Sequence, residues 1–123
     1  RGWASPGHEF TRVANDASVR IILASPQTAD DLCAPLDTAG RLSCRNGDRV
    51  VINAWRWVNG APSYGKDIGA YRRYLINHEF GHALGLPHAA CPGNGAPAPV
   101  MLQQTKTLDG CRANAWPGGV DRP

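Results

Sequence analysis

The string Asn77-His78-Glu79-Phe80-Gly81-His82-Ala83-Leu84-Gly85-Leu86-Pro87-His88 limits the folds open to this chain more than any other stretch. It reads H-E-x-x-H-x-x-G-x-x-H. On a helix, residues four apart lie about 40° from each other and one turn apart, so His78 and His82 share a face and can reach one metal ion. Glu79 sits about 100° further round, poorly placed to share the ion but able to reach a water bound to it. Gly85 lets the chain leave the helix, because glycine takes the left-handed conformation at a C′ position without steric cost. Leu86 and Pro87 turn the backbone, and His88 returns as a third nitrogen ligand. Three neutral imidazoles and one water position make up an open, catalytic zinc site rather than a closed structural one. H-E-x-x-H alone also occurs on ordinary solvated helices; Gly85 and His88 at their fixed spacings make the longer string much more specific.

The surroundings of the string suit it. Asp67 is a sensible N-cap for a helix running Ile68 to Leu84, which Gly85 closes. Ile68, Tyr71, Leu75, His78 and His82 recur at spacings of three and four, so the metal-binding face continues the buried face. From Leu75 onward the helix is apolar all round except for Asn77 and the site residues, the pattern of a central, buried helix. A dry surrounding strengthens the pull of a metal on its water. Gly81 within a helix costs about 1 kcal/mol against alanine, which predicts close approach by another backbone.

Elsewhere the pattern predicts strands at Phe10–Val13, at Val19–Ala24 and, most strongly, at Arg49–Val58. In the last, Val50, Ile52, Ala54 and Val58 alternate with Val51, Asn53, Trp55 and Trp57. Trp55 and Trp57 are read as packing against the domain. Thr28–Leu32 is expected to form a helical turn with Thr28 as N-cap, and Leu36–Asp48 a loop. His8-Glu9 repeats two letters of the central string without a second histidine four later, and is read as surface. Beyond His88, proline and glycine end regular structure. Gln103–Asp109 is expected to make a short helix or turn, and Asn114–Gly119 an extended tail. The order of elements predicts an α+β fold. A chain of 123 residues suffices for one core, here divided into an upper part of about residues 1–85 and a lower part of about 86–123.

The H-E-x-x-H-x-x-G-x-x-H stretch resembles the active-site signature of the metzincin zinc peptidases. That clan carries a tight methionine turn beneath the metal, C-terminal to the third histidine. Met101, the single methionine, follows His88 by 13 residues in Pro99-Val100-Met101-Leu102. The resemblance implies a twisted sheet and central helix above, an irregular Met-turn part below, and a cleft between them with Zn2+ at its floor. It implies a metallopeptidase in which His78, His82 and His88 hold zinc and Glu79 activates the zinc-bound water to hydrolyse a peptide bond. The substrate is then a polypeptide that pairs with a sheet edge beside the cleft; whether Arg49–Val58 is that edge stays open. Some metzincins place a tyrosine two residues after the turn methionine; here Gln103 stands there. Ala89, after the third histidine, does not settle a subfamily. Pro99–Thr105, Gly110-Cys111 and Asn114–Pro117 resemble uncharacterised secreted metzincin-like domains of actinobacteria. The family usually carries a helix before the later strands, for which the segment ahead of Phe10 is too short. Part of the domain is therefore expected upstream of Arg1.

Four cysteines allow three pairings. The local one, Cys33–Cys44 with Cys91–Cys111, is favoured because each bridge closes an irregular loop; each would stabilise by about 2–3 kcal/mol. Four reduced thiols in a cytosolic protein remain the alternative, and an exported, monomeric protein is the better expectation. The opening Arg1-Gly2-Trp3 suggests a domain already stripped of its targeting segment. A net charge of +3 is too mild to imply a nucleic-acid partner, and no apolar run is long enough to span a membrane. Two other functions remain open: a non-cleaving zinc-containing peptide-binding module, and a disulfide-stapled interaction domain without metal.

Overall fold

Six regular elements organise the computed structural model, which describes residues 2–4, 7–118 and 121. They are β1 (Arg20–Ala24), α1 (Pro26–Cys33), β2 (Cys44–Asn46), β3 (Arg49–Asn53), α2 (Ala54–Asn59) and α3 (Ile68–Ala83), with 3-10 turns at Gly2–Ala4 and Pro62–Tyr64. Arg1 of the opening and Gly119 of the expected tail lie outside the described residues. The fold is α+β: a three-stranded mixed sheet, in the order β1-β3-β2, with helices on both faces.

β3 is the central strand. It runs parallel to β1, with Ile22 opposite Val51, and antiparallel to β2, with Cys44 opposite Val51. Parallel neighbours need a crossover, and α1 supplies it. A helix ahead of the later strands is thus present within the chain. Val51 packs towards α1 with Ala29, Cys33 and Cys44. Val50 and Ile52 face α3, where they meet Tyr71, Tyr74, Leu75 and Met101.

Several boundaries differ from the sequence reading, each for a local reason. β3 stops at Asn53 instead of continuing to Val58. The Asn53 side chain accepts a hydrogen bond from the Trp55 backbone N–H at 2.9 Å, capping α2, and Gly60, at φ +71°, ends it. Trp55 and Trp57 therefore ride on a short helix, with Arg41 stacked over Trp55 and Arg72 over Trp57; Trp57 also packs against the core. α1 is capped by Ser25, not Thr28. The Ser25 hydroxyl accepts from the Thr28 N–H, and Pro26 occupies the first helical position, where its missing N–H costs nothing. The stretch expected to be loop contains β2, joined to β3 through Gly47 and Asp48. Gly47 and Asp48 form the two-residue hairpin turn, and Gly47 has the positive φ, +63°, that such turns require at their first position. Phe10–Val13 forms no strand: β1 pairs only with β3, and Phe10 packs edge-on against Phe80 at 5.2 Å instead. Glu9 is exposed and His8 partly so, with His8 against Trp3 and Phe10.

Below α3 the chain is irregular and Gln103–Asp109 is turn rather than helix. Buried polar groups hold it. Gln104, fully buried, donates through its side chain to the carbonyls of Pro99 and Asn114 and accepts from the Tyr64 hydroxyl at 2.7 Å. The Tyr74 hydroxyl donates to the Leu102 carbonyl and accepts from the Gln104 N–H at 2.9 Å. Cys91–Cys111 closes this part, while Cys33–Cys44 ties the end of α1 to β2.

Gly81 faces two side chains, not another backbone. A methyl group added there would meet the sulfur of Met101 and the ring of Trp3, the latter at 2.7 Å. Helix propensity favours alanine by about 1 kcal/mol, but overpacking of a filled core costs about 1–3 kcal/mol. Gly81→Ala is therefore expected to lower the denaturant midpoint of unfolding. A raised midpoint would mean that Met101 and Trp3 do not pack against the helix there.

Candidate metal centre

α3 places His78 and His82 one turn apart, and the reversal after Ala83 brings back His88. Gly85 takes φ +91°, and the Leu86 N–H bonds the Gly81 carbonyl at 3.0 Å, so the chain folds back over the last helical turn. One ring nitrogen from each of His78, His82 and His88 lies within 4.8 Å of the others, and the Nε2 atoms of His82 and His88 are 3.1 Å apart. Tetrahedral ligands with metal–nitrogen bonds of about 2.0–2.1 Å sit about 3.3 Å from one another. The triad already has that spacing on one side.

Ring orientation is set from behind. His78 Nδ1 lies 2.8 Å from the Val100 carbonyl and His82 Nδ1 2.8 Å from the Leu86 carbonyl. A carbonyl only accepts, so both Nδ1 atoms carry the proton and both Nε2 lone pairs are free to ligate. Burial lowers the pKa of His78 to about 3, against the opposing hydrogen bond to Val100. Burial likewise lowers His82 and His88. The imidazoles are therefore neutral near pH 7, as metal ligation requires. The triad can hold a metal ion, and its donor set alone does not identify which.

Glu79 stands beside the triad, with one carboxylate oxygen 3.8 Å from His78 Nε2. Its other oxygen, Oε2, is buried without a hydrogen-bond partner. Desolvation raises the Glu79 pKa to about 8. With His78 neutral, the 3.8 Å contact is not an ion pair. An unpartnered buried carboxylate oxygen next to three converging imidazoles fits a cation and its attendant water.

Met101 is buried beneath the helix against Gly81. Its N–H donates to Asp121, and its carbonyl accepts from the Ala89 N–H, next to His88. The three ligands, Glu79 and Met101 thus form one cluster. The cleft over it has a volume of about 330 Å³ and is lined by Cys44 and Arg45 of β2 and by Gln103, Thr105 and Lys106. The floor includes Tyr71, Tyr74 and Leu75 from α3. Sequence reasoning missed the carbonyls of Val100 and Leu86, since any residue supplies one, and the wall residues Arg45, Arg56 and Lys106, which share no motif.

A family model described as "Protein of unknown function (DUF3152)" matches residues 1–117. No curated protein and no solved structure matches the chain.

The raised pKa of Glu79 makes this carboxylate a cost in the metal-free protein. Below about pH 4.5 it is protonated folded or unfolded and costs nothing; above that the unfolded chain gains by ionising, so stability falls until about pH 8. Glu79→Gln is thus expected to stabilise the chelator-stripped protein by about 3 kcal/mol at pH 7 and by nearly nothing at pH 4. Urea unfolding at the two pH values checks it, and an equal effect at both would refute the desolvation argument.

Proposed function

The chain belongs to the DUF3152 family, and from its site we propose that it is a zinc-dependent endopeptidase of metzincin type, working outside the cell. The unpartnered Oε2 of Glu79 beside the three imidazoles carries this reading. A site that only stored metal would have no use for a buried carboxylate that ligates nothing and weakens the fold. Three neutral imidazoles with an open position favour zinc. Held by His78, His82 and His88, zinc would supply Lewis acidity toward a scissile carbonyl and toward water.

The residues divide the remaining work. Val100 and Leu86 orient His78 and His82 through their Nδ1 protons. Glu79, whose carboxylate lines the cleft beside His78, takes the proton of the attacking water and passes it to the leaving amine. Its buried place beside His78 suits a group that must both accept and release that proton. β2, an edge strand lining the cleft at Cys44 and Arg45, offers a backbone ladder to an extended polypeptide. β3, where the strongest strand signal fell, is central and cannot serve. Two disulfides suit an oxidising compartment, and among the described residues no helix is long and apolar enough to cross a membrane.

Purified protein is expected to hold about one zinc per chain and to cleave an unstructured protein such as casein. Chelation should abolish the cleavage, and Glu79→Ala should lower it by at least about 100-fold while leaving zinc bound. One zinc without cleavage of casein or of a peptide library would favour the non-cleaving peptide-binding module. No zinc would remove the three-histidine site from the argument.

A further inference from the structure

Three cations converge on the cleft from three separate segments. Arg45 comes from β2, Arg56 from α2 and Lys106 from the turn after Met101, and all three line the same cavity as His78, His82 and His88. Glu79 is the one carboxylate among the described residues that line it. Among the described residues the one ion pair is Arg20–Asp48, so no carboxylate pairs with Arg45, Arg56 or Lys106.

Their placement follows from the cavity they share, Arg45 and Lys106 lining it together with His82 and His88. Arg56 is held in place, donating to the carbonyls of Arg41 at 2.7 Å and Gly60 at 3.1 Å. Arg45 and Lys106 are exposed at the walls, and the one side-chain hydrogen bond of Arg45 is a long contact to the Gly47 carbonyl at 3.5 Å. Unpaired like charges around a concave site repel one another and cost stability, unless something negative completes the set.

We propose that the cleft selects polypeptide segments bearing an acidic side chain beside the scissile bond, received by Arg45, Arg56 and Lys106. This rests on the peptidase reading for the bond that is cut, but not for the charge that is preferred. A carboxylate placed in the cleft would meet a cavity lined by Arg45, Arg56 and Lys106, of which Arg56 is held by its two backbone carbonyls. A lysine or arginine in that position would face three cations and the metal. The field also draws anionic segments into the cleft, an effect that falls with ionic strength.

The test uses one neutral peptide series in which a single Glu, Gln or Lys is scanned through the positions flanking the cleaved bond. Two readouts are taken on zinc-loaded protein: kcat/KM for the native chain, and the Kd of each peptide for the Glu79→Gln variant by fluorescence anisotropy. At one or more positions Glu is expected to be favoured over Lys by about tenfold in both readouts. The preference should shrink to about twofold or less in an Arg45→Ser/Lys106→Ser double variant and in about 0.5 M salt. Equal Kd values for the Glu and Lys peptides would overturn the proposal. So would a preference that survives the double substitution, which would place the carboxylate on the metal instead. Charge-selective binding by a native chain that cuts none of the peptides would uphold the proposal and sink the peptidase reading; cleavage without charge preference would do the reverse.

Discussion

Two hydrogen bonds, from His78 Nδ1 to the Val100 carbonyl and from His82 Nδ1 to the Leu86 carbonyl, are what the rest of the structure serves. A histidine on a helix face has several rotamers and two ring nitrogens, so spacing along α3 does not by itself aim a lone pair. The carbonyls choose the nitrogen and fix the ring. Leu86 is placed by the turn at Gly85, a local device. Val100 lies far along the chain, in a segment with almost no regular structure, and holding its carbonyl under α3 takes much of the C-terminal part. Gln104 braces the segment from within, the tyrosines of α3 and of the turn before it reach down to it, and Asp121 takes the Met101 N–H. Cys91–Cys111 limits how far the unfolded segment can wander. Packing of Met101 and Trp3 against Gly81 lets this assembly approach the helix.

The site so held opposes the stability of its own fold. Burial disfavours the ionised form of Glu79 and the protonated form of His78, and neither relieves the other, because at neutral pH the two are poised as a neutral base and a reluctant acid. A bound dication changes the balance, since it favours both a neutral imidazole and an ionised carboxylate nearby. The cationic walls sharpen the contrast. Arg45 and Lys106 make each adjacent histidine harder to protonate and leave the cleft short of negative charge. Groups whose environments push their titration apart, gathered in one cleft, mark a functional site more than a structural one.

Legibility in the sequence followed the range of the interaction concerned. The span of α3 was readable because Asp67, the apolar recurrence and Gly85 are local signals that the tertiary structure had no reason to override. The disulfide pairing was readable because each bridge closes a short local loop. The strand at Arg49 was overextended because Val50 to Val58 alternates well enough for a half-buried strand. β3 is instead buried on both faces, and Asn53 turns the chain into α2. The β2–β3 hairpin was read as loop because β2 is three residues long and carries little apolar pattern of its own. Phe10–Val13 had the composition of a strand and no partner to pair with.

The sequence alone therefore determined the donor set and its order: His78, His82 and His88 with Glu79 one step behind the first ligand, on a helix that Gly85 must end. Helical periodicity and glycine stereochemistry act over a few residues, so they can be read from letters. Only the tertiary structure decided which nitrogens face inward, that Glu79 keeps one oxygen without a partner, that β2 rather than β3 borders the cleft, and that Arg45, Arg56 and Lys106 surround it. Those features depend on carbonyls that every residue possesses and on side chains brought together from separate segments, and no spacing along the chain records which of them will meet.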